Sequence, residues 1–198
     1  MPVSLPPLIL ASASPRRRSL LQEHGYLFSV QSAEVEEISP PHLTPAETVL
    51  YNARLKALDI ARHHPEALVL GADTVVAFES EIFGKPADLA AAETMLHRLN
   101  GQTHEVFSGV WLVQSAAKRQ QGFVEITRVH FHRLGIKQLR AYLARIGPLD
   151  KAGAYAAQDD RGDLIKSVEG SFTNVVGLPM ERLRQVLSAW HTEKRQRV

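Results

Sequence analysis

The fold of this chain is constrained most by two long predicted strands that follow each other near the middle of the sequence. Residues 103–114 and 122–132 both have strand-like patterns, and the short segment 116–121 between them predicts a hairpin turn. Strands joined by so short a connection pair antiparallel. Elsewhere, helical and strand patterns interleave along the chain, as in α/β proteins. The sequence therefore predicts an α/β fold with a mixed, twisted sheet and flanking helices.

Capping residues predict where the other elements begin. Ser14 and Thr44 each precede a proline at the first helical position, and Glu47 completes a capping box with Thr44. Asp88 is a third N-cap, and Gly25 predicts the end of the first helix. We expect helices at residues 15–24, 45–63, 89–100, 136–146 and 179–190, further strands at 8–12, 26–31, 67–78 and 163–168, and loops or turns at 34–43, 79–81 and 84–86.

Length and composition fit one globular domain. The 198 residues carry a net charge of +2 and are 44% hydrophobic, which is enough apolar material for a real core. We expect a single domain over residues 1–190 and a polar tail at 191–198. The small net charge does not require a nucleic-acid partner. The absence of cysteine excludes disulfides and zinc–thiolate sites.

The N-terminal segment lacks the order of charges that an export signal needs. No Lys or Arg precedes the apolar run at residues 8–10, two prolines break the sequence just upstream of it, and three arginines follow it at 16–18. No apolar stretch approaches the ~20 residues that span a bilayer. We therefore expect a cytoplasmic protein with no membrane partner.

Familiar phosphate-binding loops are missing, but the segment Ser12–Arg18 has the composition of an anion site. The glycines never form G-x-G, and no Walker A loop is present. Ser12 and Ser14 stand with three arginines at a predicted strand-to-helix turn, where free backbone N–H groups favour anions. The alternative is an ordinary N-cap followed by solvated arginines.

Asp73 lies inside an otherwise apolar predicted strand. A carboxylate there is costly unless it is paired, hydrogen-bonded or metal-bound. The alternative is a strand end that faces a loop. Upstream, Glu34, Glu36 and Glu37 form an acidic run that fits either a hard cation or a solvated loop.

Two lysines and one polar segment complete the set of unusual features. Lys56 lies in an amphipathic helix near Asn52, and Lys85 lies on a turn between glycine and proline. Residues 150–155, followed by Gln158, are too small and polar for an ordinary core strand. Together these features supply cations for phosphates and carboxylates for a metal or a water molecule, as nucleotide hydrolysis requires.

At these residues the chain resembles the Maf family of nucleoside triphosphate pyrophosphatases. The matching blocks follow the family's order and are LILASASPRR (8–17), VEE (35–37), NARLKA (52–57), GADTVV (71–76), FGKP (83–86), LNGQTHEV (99–106), DKAGAYAAQ (150–158) and EGSFTNVVGLP (169–179). The resemblance implies an ITPase-like fold with two lobes around a central cleft. It also implies cleavage of a nucleotide between its α- and β-phosphates, a divalent cation such as Mg or Mn, and often a homodimer.

The resemblance also implies roles for individual residues. Asp73 matches the family's proposed proton acceptor, which acts directly or through a metal, and Glu37 matches the family acid that helps to hold the metal, so both are expected metal ligands. Lys56 and Lys85 match lysines that neutralise the triphosphate. The matches to substrate-binding positions are Ser12, Ser14, Arg16 and Arg17 for the phosphates, and Thr74 and Gln158 for the base.

The blocks GADT and DKAGAY make this chain similar to the family branch that acts on dTTP and UTP, including modified uridine nucleotides. The chain departs from that branch at residues 156–159, where AAQD replaces GIQG, and it adds charges at 160–163. The alternatives are a pyrophosphatase for another modified nucleotide such as 7-methyl-GTP, or a nucleotide-binding regulator of septum formation. Binding of DNA or RNA through residues 16–18 and 194–197 is a further alternative, which the lack of interleaved aromatic residues disfavours.

Overall fold

Seven strands form one mixed sheet in a computed structural model that describes residues 6–79 and 81–192. The strands are β1 (Leu8–Leu10), β2 (Phe28–Val30), β3 (Leu68–Phe78), β4 (Glu81–Phe83), β5 (Thr103–Gln114), β6 (Arg119–Phe131) and β7 (Ile165–Glu169). The helices are α1 (Pro15–Glu23), α2 (Pro45–Ala61), α3 (Leu89–Leu99), α4 (Ile136–Ile146), α5 (Phe172–Val176) and α6 (Met180–Thr192). Two short 3₁₀ turns, Pro148–Asp150 and Ala152–Ala154, follow α4.

The strand order is β2-β1-β3-β5-β6-β7, and β4 pairs with β3 outside this path. β1 runs parallel to both of its neighbours, whereas β3, β5, β6 and β7 pair antiparallel. The predicted hairpin is confirmed as β5 and β6, although β6 starts three residues before its predicted beginning at 122. The predicted α/β fold with a mixed sheet is therefore confirmed.

One edge of β3 is shared by two strands that do not meet. β5 occupies the other edge from Val69 to Ala77. On the shared edge, β1 pairs with Leu68–Leu70 and β4 pairs with Val76–Phe78. Within the described residues, no strand pairs with the intervening segment 71–75 on that edge. The sheet is thus split beside Asp73, and this split opens the cleft described below.

Helix α2 lies unusually close to the middle of the sheet. A Cβ atom at Gly71 would lie 2.1 Å from the carbonyl oxygen of Ala53, and one at Gly109 would lie 2.3 Å from that of Val49. Both distances are far inside van der Waals contact, so only glycine permits this approach. The helix itself starts at the predicted capping box, in which Glu47 Oε2 accepts from Thr44 N at 2.9 Å. Its inner face is therefore held directly over β3.

Two apolar cores flank the split in the sheet. One packs α3 and α4 against the β4 end, with Leu96 and Leu139 fully buried. The other packs α1 and α6 against the β1 end, with Leu21 and Leu183 fully buried. A cleft of about 800 Å³ lies between these regions. This arrangement corresponds to the predicted two lobes around a central cleft.

Four details of the sequence-based assignment need correction. Glu81, predicted to lie in a turn at 79–81, begins β4, while Ser80 lies outside the described residues. Helix α5 was not predicted, because five residues are too few for a periodic pattern. Pro179 is not the first residue of α6; it precedes the helix, and its carbonyl accepts from Leu183 N at 2.9 Å.

The fourth correction concerns the end of the last helix. Helix α6 continues to Thr192, two residues beyond its predicted end at 190, and residues 193–198 lie outside the described part of the chain. Among the helices that the structure describes, none has the length and hydropathy needed to cross a membrane.

Candidate active site

All of the predicted site residues line the same cleft. They come from the β1–α1 turn, the acidic loop before α2, α2 itself, β3, the β4–α3 loop and the segment after α4. The residues are Ser12, Ser14, Arg16, Arg17, Glu37, Lys56, Asp73, Thr74, Lys85 and Gln158. Segments far apart in the sequence thus meet where the edge of β3 is open.

Asp73 lies at the centre of this cleft, in the middle of β3 and not at a strand end. Its side chain faces α2 and is only 5% exposed. Lys56 Nζ donates to Asp73 Oδ1 at 2.9 Å, and Asn52 Nδ2 donates to Asp73 Oδ2 at 3.1 Å. These two partners explain how a carboxylate is accommodated within an apolar strand.

Lys56 is buried and has three oxygen partners. Its Nζ lies 2.9 Å from Asp73 Oδ1, 2.6 Å from Glu37 Oε1 and 3.4 Å from the carbonyl oxygen of Ala72. An ammonium group has three N–H donors, so all three are engaged. Lys56 therefore joins the half-exposed carboxylate of Glu37 to the buried carboxylate of Asp73.

Asn52 anchors the acidic loop to α2, a role the sequence did not reveal. Its Oδ1 accepts from Ile38 N at 3.0 Å, and its Nδ2 donates to the carbonyl oxygen of Ile38 at 3.0 Å as well as to Asp73. The neighbouring Glu37 is thereby held at the cleft.

One face of α2 presents three polar side chains. Thr48, Asn52 and Lys56 recur every four residues, which places them on one helix face. All three line the cleft, and Thr48 Oγ1 has no hydrogen-bond partner among the described residues.

Thr74 points away from Asp73, to the opposite face of β3, and contacts Arg17. Arg17 is buried and donates to Thr74 Oγ1 at 3.1 Å, to Ser12 Oγ at 3.0 Å and to the carbonyl oxygen of Gly177 at 2.9 Å. Burial lowers the pKa of Arg17, while the charges of Asp73 and Glu37 oppose that shift. An arginine cannot lose its proton in practice, so a positive charge is fixed beneath the cleft.

The two serines of the anion-site motif stabilise the start of α1. Ser14 is the N-cap, and its Oγ accepts from Arg17 N at 3.5 Å. Ser12 Oγ accepts from Ser14 N at 3.3 Å as well as from Arg17. The capping interpretation of Ser14 is therefore confirmed, and the capped end of α1 also faces the cleft.

Arg16 and Lys85 lie at the mouth of the cleft and differ in their partners. Arg16 donates to Asp150 Oδ2 at 2.9 Å and to the carbonyl oxygen of Asp150 at 3.1 Å. Lys85 is exposed and has no hydrogen-bond or ion-pair partner in the described part of the chain. Asp150 and its neighbour Lys151 belong to a sequence block noted above, but neither was predicted as a site residue.

Comparison with known proteins identifies this arrangement. The sequence model of the family described as Maf-like protein matches residues 7–190. This chain belongs to the Maf family. One Maf relative, a dTTP/UTP pyrophosphatase of Pelotomaculum thermopropionicum, is 46% identical over 180 residues, which cover 91% of this chain and 94% of the relative. A protein of the same name from Salinibacter ruber is 45% identical, and the match covers 92% of this chain and 90% of the relative. A third, from Gloeobacter violaceus, is 43% identical, and the match covers 91% of this chain and 94% of the relative.

Gln158, the last predicted site residue, lies where the Maf cleft adjoins a smaller cavity of about 460 Å³. Two of the charges that distinguish this region have partners in the protein, since Asp163 pairs with Arg145 of α4 and Asp160 bonds within the loop itself. Asp160 accepts backbone hydrogen bonds from Gly162, Leu164 and Ile165 at 3.1–3.2 Å. The side chain of Asp160 therefore stabilises the loop, and Gln158 itself is exposed to the cleft.

Proposed function

We propose that this chain hydrolyses dTTP and UTP, and modified pyrimidine nucleotides, to the monophosphate and pyrophosphate. The names and high identity of the Maf relatives support this activity, as do the GADT and DKAGAY segments at residues 71–74 and 150–155. The single observation that carries the proposal is Asp73, held at the centre of the cleft by Lys56 and Asn52. A cytoplasmic location and a homodimer stay predictions.

We assign the proton-accepting role to Asp73. Each of its carboxylate oxygens accepts one hydrogen bond from the protein and keeps a lone pair for a water molecule. In the proposed step, water attacks the α-phosphorus and the bond from that phosphorus to the oxygen bridging the β-phosphorus breaks. Pyrophosphate leaves with that oxygen, and the proton of the water passes to the carboxylate of Asp73.

The cations would act at two levels. Arg16, Lys85 and the N-terminus of α1 would contact the phosphates directly, since all three face the open cleft. Lys56 and Arg17 would add positive potential from beneath while holding Asp73 and Thr74 in place. Charge that develops on the leaving pyrophosphate is thereby offset.

Glu37 and Asp73 fit a divalent cation whose other ligands include the phosphates of the substrate. The carboxylates of Glu37 and Asp73 both line the cleft and lie close together, since each has an oxygen within 2.9 Å of Lys56 Nζ. No group of three or more acidic or histidine side chains in the described residues could hold a metal alone. Mg²⁺ commonly uses one or two carboxylates together with substrate phosphates. Glu37 and Asp73 would therefore hold Mg or Mn, which would neutralise phosphate charge.

Base selection is assigned to Gln158 and, indirectly, to Thr74. The amide of Gln158 both donates and accepts, which suits the edge of a pyrimidine. Thr74 shares its hydroxyl with Arg17 and with Ser108 Oγ, which lies 2.8 Å away. Thr74 would thus act by fixing the wall of the cleft.

A nucleotide panel with a metal titration tests the proposed function. The panel contains dTTP, UTP, 5-methyl-UTP, CTP, GTP and 7-methyl-GTP, and the assay separates pyrophosphate from phosphate release. We expect pyrophosphate from the thymine and uracil nucleotides, and activity that depends on added Mg²⁺ or Mn²⁺. A preference for 7-methyl-GTP would contradict the assigned substrate class. Nucleotide binding without turnover would contradict the enzymatic function itself and favour a regulatory one.

The variant Asp73→Asn tests the mechanism. Removing a general base typically lowers turnover by about 10²–10⁴-fold, and we expect a loss in kcat of this size. Asparagine keeps the shape of the side chain, and circular dichroism checks the fold. Glu36→Gln, an exposed change in the acidic loop, is the control and should retain activity. Near wild-type kcat for Asp73→Asn would refute the role given to Asp73.

A further inference from the structure

An ion pair spans the mouth of the cleft between its two walls. Arg16 lies in the first turn of α1 on one side, and Asp150 ends the 3₁₀ turn that packs against α3 on the other. The guanidinium makes two bonds to this residue, one to the side chain at 2.9 Å and one to the backbone carbonyl at 3.1 Å. Arg16, a predicted phosphate ligand, is therefore already engaged by an anion of the protein.

Asp150 remains charged, and two cations share its carboxylate. Burial alone would raise its pKa, but hydrogen bonds from Lys151, at 2.5 Å, and from Arg16 hold the pKa below its ordinary value. Its side chain is nevertheless 60% exposed. Water competes well for such a carboxylate, and Lys151 still holds its other oxygen when it leaves Arg16, so the bond to Arg16 breaks at little cost.

We propose that Asp150 is a displaceable competitor for the polyphosphate group on Arg16. The fork of N–H donors in a guanidinium fits a carboxylate and a phosphate alike. A phosphate group that enters the cleft takes the place of the Asp150 carboxylate on Arg16, and the carboxylate returns when that group leaves.

The consequence concerns the affinity of the cleft for polyphosphates, and it rests on the proposed function, in which pyrophosphate is a product. Arg16, Lys85 and the N-terminus of α1 together favour a multiply charged anion. Asp150 lowers that affinity twice, by occupying Arg16 and by adding negative charge at the mouth. Asp150 thereby keeps pyrophosphate from binding too tightly after the reaction. It contacts Arg16 and not the substrate, so it acts on the ligand indirectly.

The test is the binding of tripolyphosphate and of pyrophosphate to Asp150→Asn, measured by titration calorimetry at low ionic strength without divalent metal. We expect both ligands to bind about five- to tenfold more tightly than to the wild type. In steady state, KM for UTP should fall and pyrophosphate should inhibit at lower concentration, while kcat does not rise. A side chain with a merely structural role would give weaker binding on removal.

Asp163→Asn is a closely matched control. Arg145 donates to the side chain of Asp163 at 2.9 Å, the same distance as in the Arg16 pair. The two side chains are 30% and 59% exposed, against 23% and 60% for Arg16 and Asp150. Arg145 also donates to a backbone carbonyl, that of Asp159, but neither partner lines the main cleft. This variant should bind both ligands as the wild type does.

Unchanged or weaker binding to Asp150→Asn overturns the proposal, and so does an equal gain for Asp163→Asn. Asp150→Ser removes the same carboxylate and replaces the asparagine variant if that protein is unstable. A second arm introduces Arg16→Gln, after which Asp150→Asn should give a clearly smaller gain, because only the negative charge at the mouth is then left to remove. The calorimetry does not depend on turnover. A wild-type protein that releases no pyrophosphate from UTP would refute the proposed function without deciding this inference.

Discussion

The cleft contains two sets of cations that look alike in the sequence and differ in the structure. Lys56 and Arg17, the inner cations, are buried and each donates to three oxygen atoms of the protein. Arg16 and Lys85, the outer cations, face the mouth; one binds Asp150 and the other has no partner in the described residues. Positively charged side chains in one site therefore differ in burial and in how many bonds they make to the protein.

The difference separates the charges that build the site from those that meet a ligand. An inner cation could reach a phosphate only by leaving an acceptor buried and unpaired, which is unfavourable. An outer cation loses little when a ligand arrives, because its alternatives are an exposed carboxylate or water. Variants of the inner set should therefore change both stability and activity, whereas variants of the outer set should change ligand affinity alone.

The largest effect is expected for Lys56→Met, which removes an inner cation at similar size. The substitution leaves Asp73 buried beside Glu37 without the ammonium group between them, and breaking a buried pair in this way costs about 3–5 kcal/mol. We expect a loss near the lower end, about 3 kcal/mol, because Glu37 is half exposed. Urea unfolding monitored by circular dichroism measures this change, and kcat should fall on the order of a hundredfold.

Lys85→Met is the matched control, since it makes the same substitution at an outer cation. If both variants lost the same stability, the distinction between inner and outer cations would be wrong. If Lys56→Met had the same midpoint of urea unfolding as the wild type, the ion pairs of Lys56 with Glu37 and Asp73 would not stabilise the fold.

A smaller effect is expected for Arg17→Lys, which keeps the inner charge and removes the planar fork. One ammonium group cannot reach Ser12, Thr74 and Gly177 from the geometry that the guanidinium uses. We expect a loss of about 2 kcal/mol in the free energy of unfolding. Arg18→Lys, an exposed change on the same helix, should have no measurable effect. Equal stability of the two variants would show that the charge of Arg17 matters and its hydrogen bonds do not.

Much of the fold could be predicted because its signals are local. Ser14, Thr44 and Asp88 start helices through bonds to residues three positions ahead, so a short stretch of sequence determines each start. The hairpin of β5 and β6 is equally local. By contrast, β4 and α5 are too short to carry a periodic pattern, and their existence depends on the edge of β3 and on the β5–β6 surface.

The candidate site was predictable in its membership but not in its connections. Asp73 was conspicuous because a carboxylate in an apolar strand needs a partner. Which lysine supplies it depends on how closely α2 approaches the sheet at Gly71, a tertiary property. The pairing of Arg16 with Asp150 joins residues 134 positions apart, so no local pattern could reveal it. For the same reason Asn52 was noted only as a neighbour of Lys56.

The smallest effect on the fold, and the one most confined to affinity, is expected for Lys85→Met. Lys85 is exposed, but its loop is anchored, because Gly153 N donates to the carbonyl oxygen of Gly84 at 3.1 Å. The ammonium group is therefore positioned before a ligand arrives, and its removal should raise KM for UTP about tenfold, the value of one charge-assisted hydrogen bond. The melting temperature should not change.

Lys137→Met, an exposed change on α4 away from the cleft, is the control and should leave KM unaltered. Because the contribution of Lys85 is electrostatic, the difference in KM between these variants should shrink as salt is added. A difference that persists undiminished at high salt would mean that Lys85 shapes the cleft and does not bind phosphate, which would leave Arg16 as the only outer cation that meets the substrate.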